Sequence, residues 1–244
     1  MADFAALILK HGGNVLNAFQ SIWNGLDWSV FSNVLLNVLP ALVCITLHEL
    51  AHGFVAYKLG DPTAKDQGRL TLNPIKHIDI VGLVMMVAVG FGWAKAVPVN
   101  MNNFKKPKRD MAITAAAGPV CNILIACVML LIYGLLYYPI SMNFGSWTVT
   151  LFDIIFRTAY LSTALAVFNL IPIPPLDGSK VVFSALSEEG YYKLMHYERY
   201  GMIILMVLLI SNVLDTPLST AAYFVFDKLF YISKWAFSLV MKFF

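Results

Sequence analysis

Charge is what this sequence is short of. Lys, Arg, Asp and Glu make up 13% of its 244 residues, about half the share of an ordinary soluble domain. Hydrophobic residues fill 59% of it, and the mean hydropathy is +0.72. That balance leaves no room for a sizeable soluble domain. Cysteine is scarce too: Cys44, Cys121 and Cys127 lie singly in apolar runs. Without CxxC spacing they offer neither a disulfide framework nor a thiolate metal site. The start, "MADFAALILKHGGN", lacks a basic n-region and a small-residue cleavage site. It reads as an amphipathic or membrane-contacting helix rather than a signal peptide. No internal repeat or low-complexity tract is present.

What is there is a series of long, nearly uncharged runs. A bilayer crossing takes about 20 apolar residues. Runs of suitable length occupy 28–59, 110–139, 148–171 and 217–240, the last weakened by Asp227 and Lys228 near its middle, with a shorter one at 200–214. The fold expected is an all-α polytopic membrane protein of about five to six transmembrane helices. The segment near 80–99, "IVGLVMMVAVGFGWAKAVPV", is too short and too rich in glycine and valine for an ordinary span. It suits a re-entrant or β-hairpin element, which a bilayer tolerates only when buried in protein or lining a cavity. One integral membrane domain is expected over 1–244, with a core at 28–180 and accessory helices at 1–27 and 200–244. The bilayer is then the chain's main surroundings, and nothing in the sequence fixes an oligomeric state.

Basic residues orient the chain, because short cytoplasmic loops carry the excess of Lys and Arg. Lys58, Lys65, Arg69, Lys76, Lys95, Lys105, Lys106, Lys108 and Arg109 lie between the first two long runs, and Lys180, Lys193 and Arg199 follow the third. The connection near 139–150 has none. Both basic connections are expected on the cytoplasmic side of a plasma membrane, most simply a bacterial one. The cluster "KKPKRD" at 105–110 abuts an apolar run, so it reads as juxtamembrane, with no nucleic-acid partner.

Inside the first run stands His48-Glu49-Leu50-Ala51-His52. Residues i and i+4 share one helix face, so both imidazoles can reach one metal ion with Glu49 beside it. Ionisable groups in a membrane helix are costly, about 2.5–3.5 kcal/mol each on the lenient scale, and functional by default. A third ligand is needed. His77 and Asp79 sit in a charged turn, and His196 in a surface-type aromatic stretch. Asp177 follows Pro172, Pro174 and Pro175, which end the third run. There a carboxylate can serve either as a ligand or as the N-cap of the next helix.

These residues resemble a known family. HExxH in the first core run, "GPVCN" (118–122) and "NLIPIPPLDG" (169–178) are similar to the site-2 protease family of intramembrane zinc metallopeptidases. The likeness runs from about 28 to 200 and takes in the loops "GDPTAKDQGRLTLNPIKHID" and "FGWAKAVPVN". It implies one Zn2+ per chain held by His48, His52 and Asp177, and Glu49 as general base. It also implies that Asn122 and Asn169 contact the substrate backbone or the developing oxyanion. The substrate implied is a transmembrane or membrane-anchored protein, cleaved near the cytoplasmic face, with the 85–97 segment as an edge strand that holds it extended. Trp93 serves equally well as an interfacial anchor. Ala96 departs from the family, where proline is common. The chain's 244 residues hold no PDZ insertion or CBS domain, so a short form is expected. A metal or proton transporter using the same cluster is the alternative, but paired broken helices in a repeat would be its mark.

Overall fold

A computed structural model describes residues 28–82, 93–141 and 145–243. The chain divides into two compact units, Met1–Leu39 and Pro40–Phe244; His48, Glu49, His52 and Asp177 all lie in the second. The helices follow the apolar runs. Helix α1 is Trp28–Lys58, α3 is Pro107–Ser141 and α4 is Ser146–Asn169, with a one-turn α2 at Thr63–Asp66. Shorter helices follow: α5 Asp177–Phe183, α6 Glu188–His196, α7 Glu198–Ile210 and the longer α8 Asp215–Val240. No strand is present among the described residues.

Among the described residues, three stretches are long and apolar enough to cross a membrane: Val38–Lys58, Pro107–Ile140 and Trp147–Asn169. A fourth span arises if Tyr200–Ile210 and Asp215–Val240, bent by 90° at their junction, count as one broken crossing. Separate spans are expected from the sequence at 200–214 and 217–240. At about 1.5 Å per residue, the 13 residues of α7 reach only about 20 Å. The turn after it passes through Asn212 at φ 57°, a left-handed conformation that asparagine accepts better than most side chains. The helix expected within 1–27 lies outside the described residues.

Helix α3 is the organising element: α4, α5 and α8 all pack on it. Its faces are inverted relative to a soluble helix. Thr114 and Asn122 are buried, while Val120, Leu124 and Val128 are exposed at helical spacing. Buried Ser162 and Thr163 on α4 repeat the pattern. Polar groups that would be stranded in hydrocarbon face one another, and large apolar side chains face outward. At the other end of the bundle Leu130, Ala159 and Phe226 form a core cluster, and the rings of Phe156 and Phe226 meet edge to face at 5.3 Å between centroids.

The connection from α1 to α3 is irregular but tightly held. Asp61 accepts from the N–H groups of Thr63 and Asn100 and from Asn103 Nδ2, at 3.1, 2.7 and 2.7 Å. Arg69 donates to the carbonyls of Lys95 and Ala96 at 2.6 and 3.3 Å. Lys95 N–H donates to the His77 carbonyl, and Ile78 pairs with Ala94 in an antiparallel bridge. Two ends of the expected dipping element, Ile80–Gly82 and Trp93–Val99, are thus seen. Residues 83–92, where its tip is expected, lie outside the described residues.

Candidate metal centre

Helix α1 brings His48 and His52 onto one face, as their i, i+4 spacing requires, and turns that face toward α3. The two rings meet edge to face with centroids 4.6 Å apart, and their Nε2 atoms lie 3.0 Å from each other. Asp177 arrives from the opposite direction. The chain leaves α4 at Asn169, turns through the three prolines, and enters α5 at Asp177. Gly178 lets this turn close: a Cβ there would stand 2.2 Å from the Leu170 carbonyl oxygen. The N-cap of α5 is Leu176, and Asp177 is its first helical residue. Asp177 Oδ2 lies 3.1 Å from His48 Nε2 and 3.2 Å from His52 Nε2.

The donor set fits a metal ion. His52 Nδ1 is 2.7 Å from the Thr114 carbonyl. A carbonyl only accepts, so Nδ1 carries a proton, and in the neutral ring Nε2 presents a lone pair. A lone pair and a carboxylate oxygen held together in a buried place repel unless a cation or proton lies between them. His48, His52 and Asp177 offer ligand atoms all within 4.8 Å of one another, and no other group of three or more such residues occurs among the described residues. Room for these groups comes from α3. A Cβ on Gly118 would stand 2.4 Å from His52 Nε2 and 2.6 Å from His48 Nε2. Thr114, Gly118 and Asn122 recur at four-residue spacing, so one stripe of α3 backs both imidazoles.

Glu49, half-buried on the neighbouring face of α1, is fixed by a contact that sequence reading missed. Val97 N–H donates to its Oε2 at 2.8 Å, so one carboxylate oxygen is held by the Trp93–Val99 segment. A cavity of about 700 Å³ adjoins the centre, lined by His48, Glu49, His52, Asn169 and Asp177 together with Trp93 and Val97. The Asn169 amide donates to the Leu165 carbonyl of its own helix at 3.0 Å. Asn122 is fully buried with its amide 3.1 Å from His48 Nδ1, on the side of the ring away from Asp177. The other sequence candidates stand apart. His77 is buried with Nε2 3.0 Å from the Thr71 carbonyl, and Asp79 accepts from Gly82 N–H at 2.9 Å. His196 ends α6.

The chain is similar to known peptidases. The model of peptidase family M50 matches residues 136–212, a stretch that includes Asn169 and Asp177. The "Putative zinc metalloprotease YwhC" of Bacillus subtilis is 40% identical over 175 residues, covering 71% of this chain and 80% of that protein. The chain belongs to the M50, or site-2 protease, family. A second relative of this M50 peptidase, "Putative zinc metalloprotease Rip2" of Mycolicibacterium smegmatis, is 30% identical over 190 residues, covering 76% of this chain and 71% of that protein. An archaeal one, "Zinc metalloprotease MJ0392" of Methanocaldococcus jannaschii, is 26% identical over 70% of this chain and 38% of that protein. No solved structure matches. The M50 peptidase is therefore a zinc metalloprotease and an integral membrane protein, with Zn2+ as its cofactor.

Proposed function

We propose that this protein is an intramembrane endopeptidase that hydrolyses peptide bonds of membrane-embedded substrate helices near the cytoplasmic face of a bacterial plasma membrane. The observation that carries the reading is the meeting of His48, His52 and Asp177 beside Glu49, at the wall of a cavity and within a helix apolar enough to cross a bilayer. His48 Nε2, His52 Nε2 and Asp177 Oδ2 would hold the zinc. Bound zinc supplies Lewis-acid polarisation of the scissile carbonyl and a water acidic enough to react at neutral pH.

Glu49 is the general base. With Oε2 held by Val97 N–H, Oε1 is the oxygen left to take the proton from water and return it to the leaving amine. The Trp93–Val99 segment, bridged to Ile78 at Ala94, lines the cavity and holds an unwound substrate by strand addition. Asn169, at the end of α4, lines the same cavity eight residues before Asp177 and contacts the substrate backbone. The basic connections flanking the centre favour the cytoplasmic side, and the core at 28–180 acts as one catalytic domain.

The deciding experiment compares wild type with Glu49→Gln for zinc content and for cleavage of a model transmembrane substrate. Retained zinc with cleavage lowered about 10²–10⁴-fold is expected, the usual worth of a positioned base. Cleavage equal to wild type would remove Glu49 from the mechanism.

A further inference from the structure

We propose that Asn122 is a positioning residue whose side-chain oxygen accepts the Nδ1–H of His48, fixing the tautomer in which His48 Nε2 is free to bind metal. The inference rests on the reading of His48 as a ligand and goes beyond it, since it gives Asn122 a part in the metal centre rather than in contact with substrate.

The geometry poses a choice. Asn122 Nδ2 lies 3.1 Å from His48 Nδ1. In that orientation Nδ1 must be an acceptor, so the ring proton sits on Nε2, where a metal ligand needs a lone pair. The same orientation strands Asn122 Oδ1 as a buried acceptor with no partner, in a side chain that is fully buried. Leaving such an acceptor unpaired costs about 1–3 kcal/mol. The two ends of a primary amide are nearly isosteric, and its partners decide between them. Turning the Asn122 amide by half a turn gives Oδ1 the Nδ1 proton and frees Nε2 toward His52 and Asp177. One rotation pairs Oδ1 and gives His48 the tautomer that a metal ligand needs, with Nδ2 then taking the place Oδ1 held.

His52 shows what the finished arrangement requires. Its Nδ1 meets the Thr114 carbonyl at 2.7 Å, an acceptor that cannot be turned around. Thr114 and Asn122 lie two helical turns apart on α3, as His52 and His48 lie one turn apart on α1, with Gly118 between them beneath the rings. One helix therefore offers an acceptor to the outer nitrogen of each imidazole: a backbone carbonyl for one and a side-chain amide for the other. Asn122 is itself anchored, since its carbonyl accepts from Ser162 Oγ on α4 at 2.8 Å. Acceptors of this kind orient metal-bound histidines, and losing one typically weakens metal binding 10–100-fold.

The test uses the full chain in detergent micelles, with zinc affinity measured by chelator competition for wild type, Asn122→Leu, Asn122→Asp and His48→Ala. Asn122→Leu should weaken zinc about 10–100-fold. Asn122→Asp, which offers acceptors only, should bind within a few-fold of wild type. An Asp variant as weak as the Leu variant would overturn the proposal, as would Leu binding like wild type. A second readout stands even if Asn122→Leu does not fold: ¹⁵N shifts of the His48 ring in the zinc-loaded wild type. They should show Nδ1 bearing hydrogen, and a bare Nδ1 would overturn the assignment. His48→Ala separates the two failures. Undiminished zinc binding there refutes His48 as ligand, whereas lost binding there with undiminished binding in Asn122→Leu refutes only the positioning role.

Discussion

Replacing Gly118 by alanine tests the centre with the smallest possible change. In a helix interior the substitution would ordinarily stabilise, by up to about 1 kcal/mol. Here the new methyl would lie 2.4 Å from His52 Nε2, 2.5 Å from His48 Cε1 and 2.6 Å from His48 Nε2. Nonbonded heavy atoms settle near 3.5–4.0 Å, so the rings must withdraw by about 1 Å. They have little freedom to do so: Thr114 and Asn122 hold their outer nitrogens, and α1 fixes their spacing. Overpacking of this kind costs about 1–3 kcal/mol, and a displacement of about 1 Å at reacting groups costs on the order of 10²-fold in rate. Gly118→Ala should therefore keep its helical circular dichroism yet bind zinc about 100-fold more weakly, with cleavage reduced at least as much. Zinc affinity and cleavage both within threefold of wild type would refute the account of how α3 supports the centre.

Two further perturbations address the connection that holds Glu49. Arg69→Met keeps the aliphatic stem but loses the donors to the Lys95 and Ala96 carbonyls; cleavage should fall about tenfold or more while zinc content stays at wild-type level, and unchanged cleavage would free the Trp93–Val99 segment from that role. Burial pushes the Asp61 carboxyl up, but its hydrogen bonds from Thr63, Asn100 and Asn103 outweigh this and hold it below the ordinary 3.8. A group depressed in the folded state stabilises fully above its unfolded pKa and loses that contribution as pH falls through the folded one. Asp61→Asn should thus lower the thermal unfolding midpoint at neutral pH, and its gap from wild type should close progressively below about pH 4; a gap constant from pH 7 to 3 would sink the argument.

The site's ligand types were legible because membrane chemistry makes them conspicuous. Two histidines and a glutamate in an uncharged run have few bland explanations, and helical periodicity alone puts His48 above His52. Asp177 was only half legible: the proline cluster marks a chain break, but a break serves a cap as readily as a ligand. The long spans followed from length and composition. The bend between α7 and α8 did not, because 200–214 and 217–240 are each apolar and hydropathy carries no angle.

By itself, then, the sequence determined the membrane class, the pairing of the two histidines and the presence of Glu49 beside them. All three depend on local periodicity and on the expense of charge in hydrocarbon. Only the tertiary structure decided that Asp177 meets the imidazoles, that Val97 holds Glu49, and that Thr114, Gly118 and Asn122 back the rings. Each of these joins residues far apart in the chain, and those of Val97, Thr114 and Gly118 act through backbone groups or the lack of a side chain. Such contacts depend on how helices pack, and packing leaves no period in a single sequence.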